Sequence, residues 1–149
     1  MTIETLFAQE RTLCRVGAIS RKRILQEISD SLASDSIVAD VLFDGLMGRE
    51  RLGSTGLGEG VAVPHCRAAV PNILICLATT LSPIDHEASD GEPVDIFVAL
   101  VVPNEEHEAH LNALSQVTRV LSSAPNRATL RACDSRSALH SSMCGMLRQ

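Results

Sequence analysis

Ile73-Leu74-Ile75-Cys76-Leu77-Ala78-Thr79-Thr80-Leu81 is a nearly continuous apolar run, the pattern of a β-strand covered on both faces. A second run, Val94-Asp95-Ile96-Phe97-Val98-Ala99-Leu100-Val101-Val102, reads the same way and is stopped by Pro103. Between them Ser82 to Pro93 carries Pro83, Asp85, Asp90 and Gly91 and reads as a connecting loop. On either side the period changes from strand to helix. Ser20 is placed to cap a helix over about 21–33, with Ile24, Leu25, Ile28 and Leu32 on one stripe. Asp35 or Ser36 caps a second helix through about Leu46, expected to bury Val38, Val41 and Leu42. Helical period resumes from about Glu105, with Leu111, Leu114, Val117 and Leu121 facing the core. Glu105, Glu106 and Glu108 fall in its first turn, where carboxylates suit the helix dipole. Two shorter helices follow Pro125, the last with Leu139, Met143 and Met146 inward. Residues 1–19 are of mixed character and suggest no element. Strands interleaved with helices imply a layered α/β domain with helices on both sheet faces.

A chain of 149 residues suits one domain, residues 1–149, with a core large enough to need no staples. There is no internal repeat and no low-complexity linker. Phe7, Phe43 and Phe97 are the only aromatics of the Phe, Tyr and Trp set, so aliphatic packing must form the core. They also leave no platform for stacking bases, and a net charge of −5 lacks the basic face of a nucleic-acid binder. The Val94–Val102 run is far too short to span a bilayer, and Met1-Thr2-Ile3-Glu4-Thr5 does not begin a signal peptide. Five cysteines without CxxC spacing read as reduced thiols, which places the chain in the cytoplasm.

The chemistry concentrates in Arg49-Glu50-Arg51-Leu52-Gly53-Ser54-Thr55-Gly56-Leu57-Gly58-Glu59-Gly60-Val61-Ala62-Val63-Pro64-His65. The turn holds glycines at 53, 56, 58 and 60 and leads into a short strand at Val61–Val63, then into one histidine behind a proline. Glycines allow positive φ, and the amides such a turn exposes can cradle an anion. Pro64 restrains the approach of the chain to His65. A nucleophilic imidazole needs one nitrogen held as N–H so that the other presents a lone pair. Once phosphorylated it wants donors and a cation, which Arg49 and the loop Gly53–Gly60 could supply. Ser54 and Thr55 fit as hydroxyl donors lining that pocket, with Gly56, Gly58 and Gly60 as its backbone. The plain alternative is a flexible loop beside an ordinary histidine.

Other motifs are weaker. Gly56, Gly58 and Gly60 give GxGxG followed by a strand, which is not a dinucleotide fingerprint, and GxxxxGK[ST] is absent. His107 and His110 lie three apart, but no third ligand has metal-site spacing, so no metal is expected. His110 shares a stripe with Leu114, Val117 and Leu121 and points inward, either as a core histidine or into the pocket of His65. His107 is expected to be solvated, and His86 and His140 carry no local signal. Cys66 adjoins His65 on the opposite face of an extended segment, a poor geometry for a Cys–His dyad. Ser54 and Thr55 lack the GxSxG elbow of a hydrolase nucleophile.

Arg49 to Arg67 resembles the phosphoacceptor motif of phosphotransferase-system enzyme IIA domains of the mannitol/fructose class: an RE pair, a glycine–threonine turn, then G-x-[AV]-[IV]-P-H. The Gly53-Ser54-Thr55-Gly56 form is most similar to the nitrogen-regulatory branch. Pro83-Ile84-Asp85 with Asp90-Gly91-Glu92-Pro93-Val94-Asp95 is similar to the family's PID…DGxPVD segment. Ala99 to Pro103 with His110-Leu111-Asn112-Ala113-Leu114-Ser115 is similar to its LLVP…HLxxLS block. The likeness spans most of residues 20–123. Cys66 stands where a glycine is frequent, and His86 where an aromatic is often found. The resemblance implies a mixed β-sheet packed between helices. It also implies that His65 accepts a phosphoryl group from the phosphohistidine of an HPr-like carrier fed by enzyme I and phosphoenolpyruvate. His110 would be the second active-site histidine and Arg49 the active-site arginine, with no metal or organic cofactor. The chain would then be a phosphohistidine relay that regulates target proteins. Two other functions stay open: a sugar-specific IIA component serving a IIB partner, and an interaction module without phosphotransfer.

Overall fold

The two apolar runs form adjacent antiparallel strands at the centre of a six-stranded mixed sheet. The computed structural model describes residues 2–105 and 108–149. After a 3-10 turn at Ile3–Leu6 the elements run β1 Phe7–Val16, α1 Arg21–Leu32, α2 Ala39–Arg51, β2 Gly56–Gly58, β3 Val61–Ala62 and β4 His65–Ala68. Then follow β5 Leu74–Ile84, β6 Val94–Pro103, α3 Glu108–Leu121, α4 Ala124–Ala132 and α5 Arg136–Leu147. The strand order is β1-β5-β6-β3-β2, with β4 also on β6. Strands β3 and β4 pair with β6 in parallel, at Ile96–Phe97 and at Leu100–Pro103 respectively. They are successive pieces of one line of pairing along β6, interrupted at Val63 and Pro64. The Pro64 carbonyl accepts from the Leu100 N–H at 2.9 Å, so the break is bridged.

Alternation along the central strands divides the core in two. Ile75, Leu77, Ile96, Val98 and Leu100 face α3, α4 and α5, where Val117, Leu130, Leu139 and Met143 pack on them. Cys76, Ala78, Phe97, Ala99 and Val101 face Ile24, Leu25, Ile28, Leu42 and Leu46 of α1 and α2. Small residues on that second face of the strands leave room for two close helices. The helix caps at Ser20, Ser123 and Ser135 each accept a backbone N–H from the first turn.

Several elements depart from the expectations. Residues 7–16 form a long edge strand parallel to β5, disguised in sequence by polar residues and by a bulge at Arg15, whose φ is 50°. Neither Asp35 nor Ser36 caps α2; they occupy a turn closed by Ser34 and Ile37. The helix starts at Ala39 and continues to Arg51, which leaves Val38 and Val41 60% and 53% exposed and only Leu42 of the three buried. Strand β5 runs on through Pro83 to Ile84, which pairs with Val94 beyond a bulge. In α3 the buried stripe is Ala113, Val117, Val120 and Leu121, while Leu111 is 66% exposed. Glu106 and His107 lie outside the described residues, so the expectations placed on them do too.

The glycine segment is a hairpin, not an open loop. Strands β2 and β3 pair antiparallel around a turn with positive φ at Gly58, Glu59 and Gly60. At Gly60 φ is 81°, and a Cβ would meet the Arg131 guanidinium, so a side chain there would be strained and would displace that arginine.

Candidate functional site

His65 opens β4, immediately after the interruption in that line of pairing, and its ring is fixed by the backbone that precedes it. Its Nδ1 lies 2.9 Å from the Val63 carbonyl oxygen. A carbonyl can only accept, so Nδ1 carries the hydrogen and the neutral ring presents its lone pair at Nε2. The ring is half-buried and borders two adjoining clefts, of about 420 Å³ and about 210 Å³. The larger is lined by Gly45, Arg49, Leu52, Cys66, Arg67 and His110 beside His65. Arg49 borders both clefts from the last turn of α2, and its Nη1 donates to the Gly53 carbonyl at 2.7 Å. The His110 ring, near the start of α3, lies 5.6 Å from that of His65, tilted by 55°. Of the two open readings of His110, the structure places it beside His65. Arg67 donates to the Pro103 and Asn104 carbonyls and so ties β4 to the segment leading toward His110.

The Gly53–Gly60 segment is arranged differently from the expected amide cradle. Gly53 N–H donates to the Glu50 carbonyl, Thr55 N–H to the Glu50 carboxylate, Gly56 N–H to Ser54 Oγ and Glu59 N–H to Asp90. Those amides are spent within the fold. The Ser54 hydroxyl donates to the His86 carbonyl at 2.7 Å and the Thr55 hydroxyl to Glu50, so neither offers its hydrogen to the cleft. Ser54, Thr55 and Gly56 do line the smaller cleft. Gly58 and Gly60 do not: Gly58 abuts Asp90, and Gly60 borders a separate acidic recess with Asp95 and Arg131. Glu50, Ser54 and Asp90 take these amides, and Gly60 at the hairpin turn opens onto the acidic recess instead of the clefts beside His65.

Two residues of the neighbourhood were assigned no role from the sequence. Glu50 and His86 are buried together, with His86 Nε2 3.1 Å from Glu50 Oε2 and both side chains without solvent exposure. Burial pushes the Glu50 carboxyl upward, but His86 and the two Thr55 donors outweigh it and hold the group below its ordinary range. The His86 ring meets Phe97 edge-on at 5.4 Å. His86 therefore belongs to the interior. His140 binds the Phe7 carbonyl through Nε2 at 2.9 Å, far along the chain from this site. Burial raises the Cys66 thiol to about 11, so at neutral pH it is a protonated wall of the cleft. Among the described residues no group of three His, Cys, Asp or Glu side chains could hold a metal, and no helix is long and apolar enough to cross a membrane.

The mixed sheet thus lies between two helical layers, with His65 and His110 sharing a cleft beside β4. Residues 5–143 match the family model described as phosphoenolpyruvate-dependent sugar phosphotransferase system, EIIA 2, and the chain belongs to that family. It is 37% identical to the nitrogen regulatory protein of Pseudomonas aeruginosa over 141 residues, 93% of this chain and 92% of that protein. It is 34% identical to the nitrogen regulatory protein of Escherichia coli K12 over 146 residues, 94% of this chain and 88% of that one. The crystal structure of the nitrogen regulatory protein IIA-Ntr from Neisseria meningitidis superposes with a TM-score of 0.90 at 31% identity, covering 95% of this chain and 98% of the other. Mannitol IIA from Escherichia coli shares the fold, with a TM-score of 0.76 at 17% identity over 94% of this chain and 97% of that one.

Proposed function

We propose that this chain is a nitrogen-regulatory phosphocarrier, phosphorylated reversibly on Nε2 of His65 by the phosphohistidine of an HPr-like carrier. The observation that carries the reading is the Nδ1–H bond to the Val63 carbonyl, which leaves the second nitrogen as the nucleophile beside Arg49 and His110. In the transfer the His65 lone pair forms the new N–P bond as the donor's N–P bond breaks in line. The donor imidazole keeps that electron pair, and the His65 Nδ1 proton stays on its carbonyl. No proton need move between the reacting nitrogens, so catalysis reduces to positioning and charge stabilisation. Arg49, turning from Gly53, neutralises the phosphoryl oxygens, and His110 donates a hydrogen bond to them. Phosphate reaches the carrier from phosphoenolpyruvate through enzyme I, and the chain acts as a cytoplasmic transferase component whose phosphorylation state regulates target proteins. The nitrogen regulatory relatives, matched over nearly their whole length, support regulation over sugar uptake.

The test mixes the chain with enzyme I, an HPr-type carrier and labelled phosphoenolpyruvate. One acid-labile, alkali-stable phosphate per chain is expected, lost in His65→Ala. Label that persists in that variant moves the acceptor elsewhere and overturns the proposal. Rapid passage of label to sugar-specific IIB domains would instead favour the transport role, one suggested by a fold neighbour solved as a complex of enzyme IIA of the mannitol system with phosphorylated IIB.

A further inference from the structure

The buried pair of Glu50 and His86 is connected to the reactive ring by an unbroken series of short contacts. His86 Nε2 lies 3.1 Å from Glu50 Oε2, and that same oxygen accepts from the Thr55 N–H at 3.1 Å. The other Glu50 oxygen accepts from the Thr55 hydroxyl. The Thr55 carbonyl accepts from the Val63 N–H at 3.0 Å, and the Val63 carbonyl holds His65 Nδ1. His86 also grips the turn a second time, because its own carbonyl takes the Ser54 hydroxyl. Arg49 precedes Glu50 in the last turn of α2 and reaches across the same turn to the Gly53 carbonyl. The acceptor ring and its arginine therefore hang from one clamped segment.

Stability alone is a poor account of this arrangement. A buried carboxylate–imidazole pair is weak evidence for stability, because apolar groups of like volume would often hold the fold as well. What the pair adds here is direction. A carboxylate with several fixed donors constrains orientation more tightly than apolar contacts do. We propose that Glu50 and His86 are positioning residues for phosphotransfer, setting the tautomer and aim of His65 through Thr55 and Val63. This rests on the reading of His65 as the acceptor.

The experiment follows the His65 ring directly, by NMR of protein labelled with 15N in histidine, alongside rapid-quench phosphorylation from the carrier. His86→Phe removes the ring nitrogen that stands 3.1 Å from Glu50, and His86→Gln keeps a polar group of similar reach. In folded His86→Phe the His65 nitrogens are expected to shift toward a mixture of tautomers. The transfer rate at saturating donor falls about tenfold, with the donor KM unchanged, because the chemistry and not the docking is misaligned. His86→Gln retains most of the parental rate and the parental His65 spectrum. Parental spectrum and rate in His86→Phe, or equal impairment in both variants, overturns the proposal. If His86→Phe does not fold, Glu50→Gln carries the same expectation, and an unaltered His65 signal there overturns it as well. A parent chain that takes no phosphate would sink the functional reading, while the ring spectra would still decide the relay.

Discussion

Replacing Arg49 with glutamine separates the charge of this residue from its packing. In the free protein the guanidinium makes one hydrogen bond across the turn to Gly53, so the structural loss is limited to about 1 kcal/mol. In the proposed transfer it faces the phosphoryl group, where a charge-assisted hydrogen bond would contribute about 1.5–3 kcal/mol. At 1.4 kcal/mol per decade that range corresponds to a loss of roughly ten- to a hundred-and-fifty-fold in transfer rate. Arg49 is only half-buried, so solvent screening favours the lower part of that range, about ten- to thirtyfold. The assay is single-turnover transfer from phosphorylated carrier, quenched over a series of donor concentrations. The expected signature is a reduced maximum rate with a smaller effect on half-saturation, since the interaction is made with the moving phosphoryl group. Arg49→Lys should fall between the two, keeping the charge but losing the planar fork. A folded Arg49→Gln protein that matches the parent at saturating donor would remove the arginine from the chemistry and refute the reasoning.

Three further expectations follow from other residues. His110→Ala should stay folded and slow both phosphate acceptance and return by about fivefold, the worth of one neutral hydrogen bond; equal rates in either direction would remove His110 from the mechanism. Because the folded-state pKa of Glu50 is depressed, its stabilisation is present above the unfolded value near 4.5 and is lost as pH falls through the lower folded value. Urea titrations from pH 7 downward should therefore lose stability most steeply below about 4.5, and less steeply in Glu50→Gln. Gly60→Ala places a methyl against Arg131 on a backbone with φ of 81° and should cost about 1–2 kcal/mol in the same titration without slowing transfer, since Gly60 opens onto the acidic recess instead of the clefts beside His65.

What could be read in advance divides along physical lines. The central strands were legible because both of their faces are buried, so hydrophobicity is continuous; α1 was legible because its stripe and its Ser20 cap coincide. Strand β1 was hidden because an edge strand needs few apolar residues and a bulge at Arg15 breaks its period. Helix α2 was misplaced at its start because the Asp and Ser ahead of it close a turn instead of capping. At the site, His65, Arg49 and His110 stood out by motif, and the fold brings them to one cleft. The fate of the turn amides did not stand out, since glycine spacing reports backbone freedom and not which partner each N–H takes. Nor did His86, because nothing local to it in sequence announces a carboxylate thirty-six positions earlier.

The break at Val63 and Pro64 has a consequence for signalling. Backbone on either side of His65 is stitched to β6, through Val61 and Ala62 before it and through His65 to Ala68 from it onward. On the proposed reading, a partner would meet a rim whose backbone is held to β6 on both sides of the acceptor. Phosphorylation there would add ionic charge at one point, and a target would discriminate the two forms by repulsion or attraction more than by shape.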